Sequence, residues 1–562
     1  MNLVTPLAAH LAADEPAGDV IARTLADLGV TVMFGVISIH NMPILDAIAR
    51  QGRIRFVPAR GEAGAMNMAD AYARVSRSLG VALTSTGTAA GNAAGSQVEA
   101  MTAGSPVLHI TTQVDRVFMD RDRAAIHDVP RQAEMLKAIS KSYIRMWEPA
   151  AAADTVVAAA RAALSAPMGP VTLEIPVDVQ RSVISRRVLP ARCRVEPSGP
   201  DPVLLDALAE MTLRARRPML WLGGGARGSA AAATALADRG FGIVTTTNGR
   251  AVAPEDHAHS LGAFNMTPHA QGVYERADLM IVVGSRLRGN ETSNNAMSLP
   301  RPLVQIDADP TQAGRNYPVE LFIPGDARLA LEGLLARLPP ALETDPQFLR
   351  DVGAARVASE AALRKTLGPY AEVADTLLAK VGPGRHPWVR DVTISNSTFG
   401  NRYVRIAAPH LGVHALGGGI GQGIAMAIGA AMAGEPAKTV ALLGDGGAQL
   451  MIGELATAVE MEAPIAFVLM NDRGYGVIRN IQDAQYGGRH VFSNILTPDF
   501  SLICQAVGLP HIRVASVDAF APALDRAIAA AGPCLVEVDM TAIGAFAQSF
   551  AGPPAGAAGG AT

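Results

Sequence analysis

Two polar residues that close apolar runs carry the clearest chemical signal in this chain. Asp445 ends TVALLGD and Asn471 ends IAFVLMN. Each run reads as a buried strand, and Asn471 follows Asp445 by 26 residues, enough for one crossover helix. Both side chains therefore leave the same edge of a parallel sheet, where open α/β sheets take their ligands. A carboxylate oxygen, a neutral amide oxygen and a backbone carbonyl from the NDRG turn make an all-oxygen set of the kind Mg²⁺ prefers, with waters and phosphate oxygens completing the octahedron. Gly446, Gly447 and Ala448, ahead of a helix starting near Gly453, leave N–H groups to face a diphosphate. Asp-Gly alone is a common turn pair. The strand before it, the helix after it and the asparagine at the next strand end turn it into a metal–diphosphate site.

A second set of candidates lies in the first third. Glu62 stands at a strand-to-helix junction in RFVPARGEAGAMNMADAYARVS, His40 in FGVISIHNMPILD and His127 in AAIHDVPRQ. A carboxyl at a helix start favours the helix dipole whatever else it does. Imidazoles on loops either hydrogen-bond to a backbone carbonyl or move protons, since they change charge near neutrality. His257, His259 and His269 read as structural.

The elements that must position these groups alternate. VTVMFGV, IRFVPA, VALTST, PVLHITTQ and PVTLEIPVDV are strand-like, with helical stretches between them. PMLWLGGGARGS, GIVTTTNGR, LMIVVGSRLRGN and LVQIDADP repeat the pattern, and so do RDVTIS, TVALLGDGG, IAFVLMNDRGYG and CLVEVDM. Alternation of this kind predicts doubly wound parallel sheets. The expected layout is an α/β chain of three such domains, over 1–184, 200–340 and 368–545. A basic, proline-bearing linker runs from Ser185 to Pro202, and a flexible tail occupies 546–562. The first and third domains look related.

In its GDG-to-Asn pattern and its domain order the chain resembles the thiamine-diphosphate enzymes of the pyruvate decarboxylase, benzoylformate decarboxylase, acetolactate synthase and benzaldehyde lyase group. The resemblance implies a pyrimidine-binding, a central and a diphosphate-binding domain, with thiamine diphosphate and Mg²⁺ as cofactors. It implies Asp445, Asn471 and the carbonyl of Arg473 as metal ligands, and Glu62 as the acid that hydrogen-bonds N1′ of the aminopyrimidine from an apolar pocket. Gly61 stands where relatives often have His. Ile420 in ALGGGIGQG resembles the support for the bent cofactor, the Gly418 carbonyl the acceptor for its 4′-amino group, and Thr398 a diphosphate-contacting hydroxyl. His40 falls at an active-site histidine of benzaldehyde lyase, His127 at a glutamine of acetolactate synthase, and Ser85 at a histidine of benzoylformate decarboxylase. Ile37 and Ser38 replace the Pro-Gly of relatives.

The implied reaction is nonoxidative decarboxylation of a 2-oxo acid, or acyloin cleavage or formation. An acetolactate-synthase-like transferase is the alternative among enzymes, and a non-catalytic regulatory subunit that binds the cofactor is the alternative outside them. GSRLRGN replaces the Arg-Phe-Asp-Asp-Arg run of acetolactate synthase, which speaks against FAD in the central domain. Family architecture implies at least a homodimer, commonly a homotetramer, acting on a small carbonyl substrate.

Bulk properties exclude other classes. A net charge of −3, with no basic block, gives no surface for nucleic acid. Cys193, Cys504 and Cys534 are widely spaced and odd in number, as in packed, reduced cytoplasmic thiols. The N-terminus lacks the basic head of a signal peptide. The uncharged run Ala415–Gly434 is rich in Gly and Ala and reads as a helix packed between sheets, not as a membrane span. FGVISIHN is not the glycine turn of a dinucleotide oxidoreductase.

Overall fold

A computed structural model describes residues 14–185 and 195–549. Cys193, linker residues 186–194 and the segment from 550 onward lie outside the described residues. The chain divides into two compact units, Met1–Ala73 with Ser78–Val195, and Arg74–Arg77 with Glu196–Thr562.

The first unit is built on six parallel strands: β1 (Val32–Gly35), β2 (Arg55–Pro58), β3 (Gly80–Thr84), β4 (Val107–Gln113), β5 (Ser142–Arg145) and β6 (Val171–Pro176). Their order is β2-β1-β3-β4-β6-β5. Every residue of β1, β3, β4 and β6 is buried, as a sheet covered by helices on both faces requires. Helix α1 (Met42–Gln51) follows β1, and α2 (Glu62–Ser76) follows β2. Their start points place His40 and Glu62 at the carboxyl edge of the sheet.

The second unit holds two more parallel sheets. One contains β7 (Pro218–Leu222), β8 (Gly242–Thr245), β9 (Leu279–Val283), β10 (Leu303–Asp307) and β11 (Leu321–Pro324) in the order β8-β7-β9-β10-β11. The other contains β12 (Trp388–Arg390), β13 (Gly412–His414), β14 (Thr439–Gly444), β15 (Ile465–Asn471), β16 (His511–Val514) and β17 (Cys534–Asp539) in the order β13-β12-β14-β15-β17-β16. The fold is thus three parallel α/β domains. The first and last sheets share one strand permutation, with the second strand outermost, then the first, third, fourth, sixth and fifth.

Three local readings need correction. The GDGGA segment is not a turn ahead of a later helix: α4 (Asp445–Ala448) already begins at the aspartate, and α5 (Glu454–Glu460) starts beyond Gly453. The helix expected over 415–434 is α3 (Gly423–Met432), buried at all but its last residue. Residues 415–422 form a loop, because Gly418 and Gly421 take left-handed φ values of 79° and 86° that end helical geometry. Phe546, assigned above to the tail, stacks on Tyr370 at 4.5 Å between ring centroids, so the chain stays packed at least that far. Cys504 and Cys534 are free and buried. Among the described residues no helix is long and apolar enough to cross a membrane.

Leu442 lies in β14 and is fully buried in the core beneath the third sheet. Leu442→Ala is expected to cost about 2–5 kcal/mol. Exposed Leu213→Ala should stay within about 0.5 kcal/mol. Urea unfolding midpoints check both.

Candidate active site

The register of β14 and β15 pairs Leu443 with Leu469 and Gly444 with Met470. Asp445 and Asn471 therefore stand side by side at the carboxyl edge. The turn after β15 wraps onto the aspartate: the N–H groups of Asp472 and Gly474 donate to its Oδ1 and Oδ2 at 3.2 and 2.8 Å. Arg473 has φ of 57°, a left-handed value uncommon for any residue with a Cβ. Its N–H donates to Asn471 Oδ1 at 3.1 Å, and its carbonyl accepts from Arg479 at 3.2 Å. Burial, followed by the neighbouring Asp472 carboxylate, pushes the Asp445 pKa up to about 7. Arg479 pairs with Asp472 at 2.7 Å, which leaves Asp445 short of a cation.

The residues present fit a hard divalent ion and a diphosphate. Asp445, Asn471 and the Arg473 carbonyl offer oxygens only, and a cation would relieve the buried carboxylate. Among the described residues no three of His, Cys, Asp and Glu gather as a metal cluster, so the oxygen set is the candidate. A Cβ on Gly446 would stand 2.7 Å from the Tyr475 ring and 2.8 Å from the Gly474 carbonyl, so only glycine admits so close a turn. Three buried oxygens nearby in the chain, Ser395 Oγ, Asn396 Oδ1 and Gln422 Oε1, have no protein partner, as a site awaiting a polar ligand would show.

Asp391, one residue beyond β12, organises the glycine loop. Its carboxylate accepts from the N–H groups of Gly421 and Gly423 at 3.0 to 3.2 Å. Burial outweighs these bonds and raises its pKa to about 6. The loop presents Ile420 39% exposed, so this residue is not core, and Gly418 has no atom within 4 Å of an added Cβ. The Thr398 hydroxyl already donates to the carbonyls of Ile394 and Ser395 at 2.9 and 3.1 Å, so a diphosphate would have to win that proton from them. Asp391, Ser395, Asn396 and Gln422 escaped the sequence reading. For the first three the signal was a run of small polar residues at a strand's carboxyl end, RDVTISNS.

In the first unit the structure brings His40 and His127 together, 5.3 Å between ring centroids. Asn41 pins the His40 loop, accepting from Ser38 N at 2.8 Å and donating to Val36 O at 2.9 Å. Gln180 Nε2 holds the His40 carbonyl at 3.0 Å. His40 is 6% exposed with Nδ1 unpartnered, and Ser85 Oγ is likewise buried and unpartnered. Burial, and then His127, lower the His40 pKa, so the ring is neutral at pH 7. His127 itself is exposed, with φ of 67°. Its carbonyl stands 2.3 Å from where a Gly87 Cβ would be, so glycine at 87 is what lets this loop close on the end of β3. Gln132 ties the same turn down, accepting from Gly87 N at 2.6 Å and donating to Glu174 at 2.8 Å.

Glu62 opens α2 as expected. It is half-buried and accepts from Asn92 Nδ2 at 3.1 Å. In the central domain Gly223 and Gly224 of GGGARGS serve close packing. A Cβ on Gly223 would strike the Gly284 carbonyl at 2.3 Å, and one on Gly224 the Asn248 amide at 2.2 Å. His257 and His259 bond Asp238 and the Ala237 carbonyl, in keeping with structural roles.

Residues 16–135, 205–334 and 394–538 match the N-terminal TPP-binding, central and C-terminal TPP-binding domains of thiamine pyrophosphate enzymes. A probable 2-ketoarginine decarboxylase of Pseudomonas aeruginosa is 30% identical over 533 residues, covering 93% of both chains. The chain belongs to the thiamine pyrophosphate enzyme family. Other relatives include a probable acetolactate synthase large subunit of Methanocaldococcus jannaschii, 26% identical over 92% of this chain and 91% of its own. The acetolactate synthase large subunit of Corynebacterium glutamicum is 27% identical over 90% and 84%. This thiamine pyrophosphate enzyme is thus of decarboxylase or acetolactate synthase type, with the Asp445 edge inside the TPP-binding model of its C-terminal domain.

The depressed His40 pKa sets a pH dependence. Unfolded, the ring titrates near 6.5 and binds a proton that the folded chain refuses, so this contribution to stability is complete above that pH and is lost as pH falls through the lower folded value. His40→Gln should lose less stability than wild type between pH 7 and 5 in urea titrations; equal losses would contradict the assignment.

Proposed function

We propose that this enzyme carries out nonoxidative C–C chemistry beside a carbonyl, decarboxylating a 2-oxo acid or cleaving or forming an acyloin, with thiamine diphosphate and Mg²⁺ as cofactors. The observation that carries this reading is the pair of imidazoles at the carboxyl edge of the first sheet, one of them buried, neutral and unpartnered. When bound, thiamine diphosphate supplies a nucleophilic carbon and takes up the electron pair of the bond that breaks. The chain's own groups do the rest. Glu62 would hold a proton against N1′ of the aminopyrimidine. Asp445, Asn471 and the Arg473 carbonyl would hold the metal, and the N–H groups of Gly446, Gly447 and Ala448, with Thr398, would hold the diphosphate. Ile420 would support the cofactor, and the Gly418 carbonyl would accept from its 4′-amino group. His40 and His127 pass protons to or from a substrate hydroxyl or alkoxide. Ser85 offers a hydroxyl in the same crevice.

The printed name of the Pseudomonas relative supports a 2-oxo acid as substrate. The acetolactate synthases among the relatives keep the transferase reading alive, although His127 occupies the place of their glutamine. Retention of both Glu62 and Asp445 argues against a non-catalytic subunit. Glu62 serves the diphosphate half of a second subunit in this reading, so the working unit is a homodimer or homotetramer in the cytoplasm. The apolar side chains each unit exposes near its own sheet edge, Ile37, Ile39 and Ile126 in one and Ile420, Leu450 and Phe492 in the other, support such an assembly.

Glu62→Gln should abolish C2 proton exchange on bound cofactor, followed by NMR; exchange at the wild-type rate would remove Glu62 from the mechanism. His40→Ala and His127→Ala should each lower turnover about 10²–10⁴-fold, the range for general acid–base groups, with cofactor affinity nearly unchanged. A screen of 2-oxo acids, benzoins and 2-hydroxyacyl-CoA thioesters, read by aldehyde and CO₂ release, identifies the substrate.

A further inference from the structure

An asparagine amide has two ends of similar shape and opposite chemistry, and only one of them can bind a cation. What decides which end Asn471 shows to the NDRG turn lies on the neighbouring strand. Asn471 closes β15, and its neighbour β17 runs parallel with Leu469 opposite Glu537 and Asn471 opposite Asp539. Glu537 therefore comes up beside the asparagine inside the sheet edge, 8% exposed. Asn471 Nδ2 donates to Glu537 Oε1 at 2.7 Å, and the other carboxylate oxygen, Oε2, meets His511 Nε2 on β16 at 2.7 Å.

The amide's two ends are told apart by their partners, since a carboxylate oxygen offers an acceptor and a backbone N–H a donor. With Glu537 Oε2 taken by His511, Oε1 is left to the NH₂ end of the amide. The oxygen must face the other way, where it accepts from Arg473 N at 3.1 Å and keeps a second lone pair. His511 in turn keeps the carboxylate from rotating, since both of its oxygens are engaged.

We propose that Glu537 is a positioning residue for the metal site: it fixes the Asn471 amide with Oδ1 toward the NDRG turn, and His511 locks Glu537 in that role. The inference rests on Asn471 being a metal ligand. Groups that orient a ligand without touching the metal change affinity by roughly 10–100-fold when removed, and here the amide would otherwise turn its NH₂ toward a cation.

The test is Mn²⁺ binding to the full-length protein with thiamine diphosphate present, read from the free-ion EPR signal and needing no turnover. Asn471→Ala should weaken binding about tenfold or more; unchanged affinity would mean that Asn471 is no ligand, and the underlying reading would fail. With that result in hand, Glu537→Leu should weaken Mn²⁺ binding about 10–100-fold. Glu537→Gln, whose carbonyl still accepts from Nδ2, should stay within about threefold. A Glu537→Leu protein that melts earlier but binds Mn²⁺ like wild type would show a purely structural role and overturn the proposal. Should that variant not fold, the exchanged pair decides the point. Asn471→Asp alone sets two carboxylates against each other, whereas Asn471→Asp with Glu537→Gln restores a donor facing an acceptor. The double variant should bind Mn²⁺ at least about tenfold tighter than Asn471→Asp, and equal affinity would refute the positioning role.

Discussion

A buried carboxylate without a cation is the constraint around which the diphosphate half of this enzyme is organised. Asp445 sits at the end of the central strand β14, 1% exposed, with a second carboxylate, Asp472, in the following turn. Burying an ionised group unpaired is expensive enough that the group either neutralises or acquires a counter-charge. Only Asp472 of the two has an arginine. The backbone supplies two N–H donors to Asp445, but N–H dipoles hold its geometry without cancelling its charge. A divalent ion does both, and its remaining coordination sites are then free for a diphosphate.

The same logic explains the architecture. Parallel strands bring all their carboxyl ends to one edge, and each of those ends can carry one functional group without disturbing the apolar interior. In the third sheet the edge collects Asp391, Asp445, Asn471 and Glu537 from four neighbouring strands. In the first sheet, built with the same strand permutation, the corresponding edge collects His40, Glu62 and the Ser85–Gly87 turn. One edge therefore gathers carboxyl and amide oxygens, and the other imidazoles, a carboxyl and a hydroxyl. The central sheet, with its own strand order, uses its glycines to pack loop against loop.

Much of this was legible in the residues. The uninterrupted apolar runs marked strands buried on both faces, and the alternation of runs and amphipathic stretches marked doubly wound sheets. Asp445 and Asn471 could be paired from spacing alone because parallel register leaves little choice. Other features were hidden for identifiable reasons. Asp391 acts through a loop 30 residues downstream, and local pattern does not show which backbone amides a carboxylate will meet. Glu537 looked like an ordinary strand residue until the lateral order of β15, β17 and β16 set it between an amide and an imidazole. The helical start at Asp445 was missed because glycines suggested a turn.

The central claim is that a divalent ion anchors thiamine diphosphate to the Asp445 edge, and it is tested most directly by calorimetric titration of thiamine diphosphate into metal-free enzyme with and without Mg²⁺. The account predicts saturable binding with Mg²⁺, and binding at least about a hundredfold weaker in EDTA, an affinity change of roughly 2.7 kcal/mol. Equal affinity under both conditions, or no binding under either, would contradict it.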